Sequence, residues 1–257
     1  MLGGTKDARV LAGTVRSAFP DVVLAVSVVS EYGAALLREQ KDCVVLQGKM
    51  DAAEMAVFIR KNGVRVLLDA THPFAEQVTA QAKQATTQCG IDYIRYERPA
   101  LDIQAGGGVY FAADFTAAAH IATRLGEVIF LTVGSRHLAE MVAVIPPGKK
   151  VVARVLPDPH SVQHCLVSGL ASWQIVAVQG PVSTQLNAAL FSEFKADVVV
   201  SKESGEAGGT PEKVAAARQL KIPIVLVRRP GNTGSVGSPS EIISMLRRIF
   251  QRGDRRN

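Results

Sequence analysis

Runs of Val, Ile and Leu alternate with stretches of helical period nearly from end to end of this chain. A strand buried on both faces is apolar throughout, whereas a helix covering it is apolar along one stripe, so the alternation predicts parallel sheets clothed in helices. Strands are expected at Val22–Val28, Asp42–Leu46, Arg65–Asp69 and Tyr93–Tyr96, then at Val128–Val133, Lys150–Val155, Gln174–Gln179, Asp197–Ser201 and Ile224–Arg228. Helices are expected at Asp7–Ala18, at Asp51–Asn62 with Gly63 as its stop, and at Ala75–Cys89. Further helices are expected at Phe115–Arg124, Pro159–Val167, Ser183–Phe194, Pro211–Leu220 and Pro239–Phe250.

The alternation breaks at RPALDIQAGGGVYF, which carries a proline, three successive glycines and no helical period, and reads as a linker. The expected architecture is therefore α/β with two doubly wound lobes, residues 1–99 and 100–257, and a cleft between them. LGGTKDARVLA at the start and LTVGSRHLAEM at 131–141 both read as strand end, glycine turn, polar residue and helix. In open α/β sheets, ligands sit outside the carboxyl ends of the strands, so each such turn is a candidate site.

Composition narrows the classes. No apolar run approaches the roughly 20 residues that a bilayer needs, which argues against a membrane span. The three cysteines, Cys43, Cys89 and Cys165, form no disulfide framework, and no signal core follows a basic start, so a cytoplasmic setting is expected. The net charge of +6 suggests a nucleic-acid partner only until it is located: five arginines against one aspartate fall within the last eleven residues. That tail reads as solvated, and with so few aromatic residues to stack on bases no nucleic-acid partner is expected.

Three stretches carry chemistry. Gly3 and Gly4 free the backbone to turn tightly towards a phosphate, and Thr5 can cap the helix that follows. In DATHPFAEQ at 69–77 a strand ends at Asp69, Pro73 suits the first helical position, and His72 would sit at the positive end of that helix. In SKESGEAGGTPEKVAAA at 201–217, Lys202, Lys213, the Ser204 hydroxyl and backbone N–H groups of the glycine loop can surround an anion. The loop is not a Walker A sequence, and no stretch gives G-x-G-x-x-G. Ser135, Arg136 and His137 follow one strand and Arg154 ends the next, either arginine being able to fork onto a carboxylate or phosphate or to serve as a surface ion-pair partner. His160 and His164 share a helix face next to Cys165, but metal ligation needs another converging ligand, so no metal is expected. Asp69 and His72 lack a nucleophile elbow, so no hydrolase triad is built.

Taken in order, GGTKDAR at 3–9, VSEYG at 29–33, DATHPFA at 69–75, YIRYERP at 93–99, TVGSRHL at 132–138, ARVLPDP at 153–159, QGP at 179–181 and the run from 201 to 230 resemble the precorrin-6A reductases of cobalamin biosynthesis. The resemblance spans nearly the whole chain. It implies two Rossmann-like lobes, a tetrapyrrole-derived substrate, NADPH or NADH as hydride donor, and transient contacts with other enzymes of the pathway. A dinucleotide would then be held by Gly3, Gly4, Thr5, Ser204, Gly205, Gly209, Thr210 and Lys213. The substrate carboxylates would meet Arg9, Arg95, Arg98, Arg136 and Arg154, with Lys202 a further cation there. His72 or Lys202 would donate or relay the proton, and Lys202 would steady developing negative charge.

The chain departs from the family's pattern at its start. Members place a short apolar strand before the GGT turn, and here only Met1 and Leu2 precede it. The expectation is a start codon assigned too late or a truncated chain, with upstream codons supplying the strand, and otherwise a first sheet short of a central strand. The readings that compete are a nucleotide sensor without catalysis, a nicotinamide-dependent reductase of another anionic substrate, and a nucleic-acid binder using the basic tail.

Overall fold

The apolar runs become strands and the periodic stretches become helices in the computed structural model, which describes residues 1–39, 43–99, 101–231 and 234–254. Asp42, Ala100 and the tail residues Arg255 and Arg256, which figured in the expectations above, lie outside the described residues. The chain divides into two units: 1–99 together with 230–257, and 100–229.

The first unit contains α1 (Lys6–Ala18), β1 (Ala25–Val28), α2 (Glu31–Arg38), β2 (Val44–Gln47), α3 (Ala52–Lys61), β3 (Val66–Asp69), α4 (Glu76–Cys89) and β4 (Asp92–Arg95). β1 pairs with β2 and β3 with β4, both in parallel. Leu2 stands between the two pairs, bridging Ser27 on one side and Asp69 on the other. Its N–H donates to Leu68 O at 2.8 Å and its carbonyl accepts from Ala70 N at 3.0 Å, while Ser27 N donates to Met1 O at 2.8 Å. The central position expected to be missing is thus held by residues 1–3, as a stub of strand rather than a full one. The terminal amine of Met1 donates to Ala25 O at 2.6 Å, and burial lowers its pKa to about 6.

Alternation along β3 divides the first core. Leu68 and Ala70 pack with Ala8, Leu11 and Val15 of α1, whereas Leu67 packs with Met55 and Ile59 of α3 and with Ala82 and Ala85 of α4. α3 begins where Asp51 and Glu54 form a reciprocal capping box, and α4 ends on the left-handed Gly90.

The last helix corrects the sequence reading. A helix was expected at Pro239–Phe250 in the second lobe, with the basic tail solvated; it spans Pro239–Asp254. Ile242, Ile243 and Leu246 instead enter the core formed by α1, β3 and β4. Phe250 meets Phe19 edge to face at 5.1 Å, and its carbonyl accepts from Arg65 at 2.9 Å. Arg247, Arg248 and Arg252 stay exposed. Val236 leads into the helix by pairing alongside Tyr96.

The second unit contains β5 (Val109–Ala112), α5 (Phe115–Leu125), β6 (Val128–Thr132), α6 (Leu138–Val144), β7 (Lys150–Val155), α7 (Pro159–Val167), β8 (Ile175–Ala177), α8 (Thr184–Glu193), β9 (Val198–Lys202), α9 (Thr210–Leu220) and β10 (Ile224–Val227). The sheet is parallel with order β5-β10-β9-β6-β7-β8. β5 was read as part of the linker; it is an edge strand whose pairing with β10 fixes it. Phe130, Val152, Val199 and Leu226 face one way into a core with Phe191 of α8 and Val214 and Ala217 of α9. From β6 the chain steps outward through β7 and β8, then returns to lay β9 on the other side of β6. The carboxyl ends of β6 and β9 therefore flank a topological switch point, where open sheets bind ligands. Among the described residues, no helix is long and apolar enough to cross a membrane.

Candidate active site

In the first unit the candidate residues lie on loops that leave the residue 1–3 stub and β3. Gly4 has φ +104°, a conformation that favours glycine, and no atom lies within 4 Å of where its Cβ would be. The Thr5 hydroxyl accepts from Ala8 N at 2.9 Å and donates to Ala70 O at 3.2 Å. It therefore caps α1 and ties the glycine turn to the 69–75 loop, which leaves the backbone to meet a ligand. Among the described residues no acceptor takes the N–H of Gly4, Lys6 or Asp7. That row of donors at a helix start suits a diphosphate, and the Asp7 carboxylate beside it is neutralised by Arg98 at 2.9 Å. Arg9 is half-buried in the first turn of α1, with no side-chain hydrogen bond or ion pair among the described residues.

The 69–75 loop hangs from Asp69, which is wholly buried. Asp69 accepts from Thr71 N at 3.0 Å, Thr71 Oγ1 at 2.7 Å, Thr79 Oγ1 at 2.8 Å, the Tyr93 hydroxyl at 2.8 Å and Arg95 at 2.8 Å. Burial works to raise its pKa, but Arg95 and the hydroxyl and amide donors outweigh that and hold it below the usual carboxylate range. Burial, joined by the same carboxylate, pushes the Tyr93 hydroxyl well above its usual value. Arg95, expected to grip substrate, is 4% exposed and commits one nitrogen to Asp69 and Thr71. It is a support of the loop.

His72 lies in a turn closed by Ala75 N donating to its carbonyl at 2.8 Å, and its Nδ1 accepts from Phe74 N at 3.2 Å. The neutral ring accordingly carries its proton on Nε2. Pro73 belongs to this turn and does not open the helix, which begins at Glu76. An opening lined by Arg16, Asp21, Val22 and Val44 lies at the amino ends of β1 and β2 and contains none of the candidate residues.

In the second unit the switch point gathers cations. Lys202 ends β9 with its Nζ 5.5 Å from the Phe115 ring centre. Burial, helped by the charge of Arg136, lowers its pKa to about 8. His137 stacks on the same ring at 3.8 Å and 7°, with Nδ1 2.8 Å from Glu140. Burial is the largest influence on the imidazole and lowers its pKa. Arg136 is exposed. Arg154, 8% exposed at the end of β7, donates to Asn187 Oδ1 at 2.7 Å, and the Asn187 amide in turn donates to Val182 O and Ser183 O.

The loop after β9 turns on Gly205 at φ +71° and Gly209 at φ +67°. Thr210 is wholly buried: its hydroxyl accepts from Ser204 N at 3.1 Å and donates to Lys202 O at 3.2 Å. It shapes the loop from within. The N–H groups of Gly205, Glu206 and Ala207 have no acceptor among the described residues. Lys213 is buried, with its Nζ donating to Gly208 O at 2.8 Å. Among the described residues no group of three His, Cys, Asp or Glu could hold a metal.

Sequence reasoning singled out His72, Lys202 and Lys213 but missed what holds them. Asp69 pairs with Arg95 in the β3–β4 register, and Tyr93 shares a face with Arg95 two residues away. Nothing short of that register reveals a five-donor carboxylate. The stacked Phe115–His137 pair and the Asn187 link have no local signal either.

Glycine turns, unpaired N–H groups and cations at the carboxyl ends of parallel strands define the class: open-sheet α/β proteins that bind anionic ligands at strand-end loops. The chain belongs to the family described as precorrin-6x reductase CbiJ/CobK, whose model matches residues 1–247. It is 34% identical to the cobalt-precorrin-6A reductase of Methanothermobacter thermautotrophicus over 99% of this chain and 86% of that one. It is 35% identical to the cobalt-precorrin-6A reductase of Priestia megaterium over 90% of this chain and 89% of that one. A solved CobK precorrin-6A reductase superposes with a TM-score of 0.76 at 25% identity, over 96% of this chain and 95% of that one. The family is one of oxidoreductases acting on a corrin precursor, as the ordered motifs implied.

Proposed function

We propose that this chain reduces precorrin-6A, cobalt-bearing or metal-free, to its dihydro form, with NADPH or NADH as donor. The nicotinamide supplies the hydride when bound. The protein's part is to hold the reactants, shape the field and deliver a proton to a neighbouring carbon. The observation that carries the reading is Lys202 at the switch point, an ammonium brought to about 8 beside an aromatic ring. A general acid works best when its pKa lies near the working pH, and the same charge steadies electron density arriving on the macrocycle. His72 is the second candidate, giving its Nε2 proton from the imidazolium form, in which Phe74 N no longer donates to Nδ1.

In this reading the N–H groups of Gly4, Lys6 and Asp7 hold the diphosphate, while Gly3, whose own N–H donates to Ser27 O at 2.9 Å, fixes the start of the turn and Thr5 keeps it in shape. Ser204, Gly205, Gly209, Thr210 and Lys213 form the second anion-binding loop. Arg9, Arg98 and Arg136 are the cations that meet substrate carboxylates, and Arg95 positions the 69–75 loop. The three cysteines form no disulfide, which fits an enzyme of the reducing cytoplasm. Incubating the purified protein with each substrate form and each nicotinamide, and following loss of the reduced nicotinamide, tests the proposal. Oxidation that depends on precorrin-6A supports it; binding without oxidation sinks it.

A further inference from the structure

Lys213 is buried yet has no carboxylate partner among the described residues. It is 5% exposed, and its Nζ has one neutral acceptor, Gly208 O at 2.8 Å. Among the described residues, Glu212, the adjacent residue on α9, makes no ion pair with it, and its Oε2 is buried with no hydrogen bond. The charges facing Lys213 from other elements are positive, Arg154 from β7 and Lys202 from β9, while α8 offers the neutral Asn187 that holds Arg154.

Arg154 supplies the second observation. The residue is more than nine-tenths buried, and among the described residues its single hydrogen bond is from NH1 to Asn187. Nε and NH2 retain some solvent access and make no hydrogen bond among the described residues. The turn that Asn187 anchors lies against the glycine loop, since a Cβ on Gly209 would fall 2.9 Å from Pro181. Two open guanidinium donors, the unaccepted N–H groups of residues 205–207 and a buried amine thus gather around one loop. That is the chemistry of a receptor for a phosphate or carboxylate group.

We propose that oxyanion binding at this loop is coupled to proton uptake at Lys213. The inference rests on the reading of residues 204–213 as an anion site and adds a proton linkage to it. Burial comes first, followed by Arg154 and then Lys202, in bringing the Lys213 ammonium down to about 7, with Glu212 opposing. The amine is therefore mostly neutral at pH 8 when the loop is empty. One negative charge at about 6 Å, in an effective dielectric of about 20, raises its proton affinity roughly a hundredfold. Docking an oxyanion then charges the amine, and about 0.8 proton enters at pH 8.

Isothermal titration of the full chain at pH 8, in two buffers of different ionisation enthalpy, counts those protons. NADP+ serves as the phosphate probe and uroporphyrin, a tetrapyrrole octacarboxylate, as the carboxylate probe. The expected result is uptake of about 0.8 proton or more with one of them, which also identifies the source of the oxyanion. Lys213→Met should lose about 0.8 of that uptake, and Lys213→Arg should bind with the same loss because its side chain stays charged. Binding by wild type with less than about 0.2 proton taken up overturns the linkage and leaves the anion site standing. Equal uptake in wild type and Lys213→Met overturns it as well. Unchanged affinity for both probes in Arg154→Met and Lys213→Met, or no binding to wild type, overturns the anion site itself. Should Lys213→Met fail to fold, Lys213→Arg carries the comparison: uptake equal to wild type in that variant overturns the linkage.

Discussion

Replacing Asp69 by Asn removes one charge from the most heavily bonded side chain of the first unit while nearly preserving its shape. The wild-type carboxylate is wholly buried, with donors from Thr71, Thr79, Tyr93 and Arg95 at 2.7–3.0 Å. An amide accepts through one oxygen only, and its NH2 confronts hydroxyl donors. Arg95, whose Nε and NH2 already lack hydrogen bonds, is left as a buried cation with Glu97 3.6 Å away. Breaking a buried pair from one side costs about 3–5 kcal/mol. At about 2–4 °C per kcal/mol for a chain of this size, the melting temperature should fall by roughly 6–20 °C. Tyr93→Phe removes one donor of five and should cost about 1.5–3 kcal/mol. Urea denaturation of wild type and both variants at neutral pH measures these differences. An Asp69→Asn protein within about 1 kcal/mol of wild type would refute the claim that this carboxylate carries the loop. The depressed pKa also sets a pH sign: the stabilisation is present above the unfolded carboxyl value near 4 and is lost as pH falls through the lower folded value.

Lys202→Met should slow single-turnover reduction by about 10²–10⁴ with smaller change in cofactor affinity, and His72→Ala is the parallel test; wild-type rates in both variants would remove the proton-donor assignment. Burial depresses Lys202 to about 8 and Lys213 to about 7 in the folded chain, so the unfolded chain binds more protons between about 7 and 10. Stability should therefore rise with pH across that window, and Lys213→Met should flatten the rise; denaturant titrations at either end check the slope. A Cβ on Gly208 would fall 2.0 Å from Ser204 Oγ, so Gly208→Ala should displace the loop and weaken anion binding while the first unit's amides keep wild-type hydrogen-exchange protection. Leu246→Ala opens a cavity where the last helix, Pro239–Asp254, meets the first core and should cost about 2–5 kcal/mol, whereas Arg252→Ala on its exposed side should cost under about 0.5 kcal/mol.

Local pattern carried the elements whose periodicity is strong. Phe115–Leu125 and Thr184–Glu193 match their expected helices closely, capped by Asp114 and Ser183. Failures fall where long-range pairing decides. β5 is four residues behind three glycines and becomes a strand by pairing with β10. Ile242, Ile243 and Leu246 advertise an amphipathic helix, but nothing local tells which sheet will receive it. Hydroxyls expected at a ligand satisfy backbone groups instead: that of Thr5 caps its helix and reaches Ala70 O in the 69–75 loop, and that of Thr210 closes its own loop. Arg95 was legible as a cation near a strand end, but its role was not, because the partner that consumes it lies in another strand. The ordered motifs identified the family, since their spacing survives without any knowledge of register.

Reduction itself is the most direct test of the central claim. Purified protein mixed with precorrin-6A or its cobalt form and a stoichiometric amount of NADPH or NADH should convert the macrocycle to a product two mass units heavier, with equivalent oxidation of the nicotinamide. The account predicts that conversion with at least one pair and its collapse in Lys202→Met. Tight binding of every pair without any change in the mass of the macrocycle would contradict it.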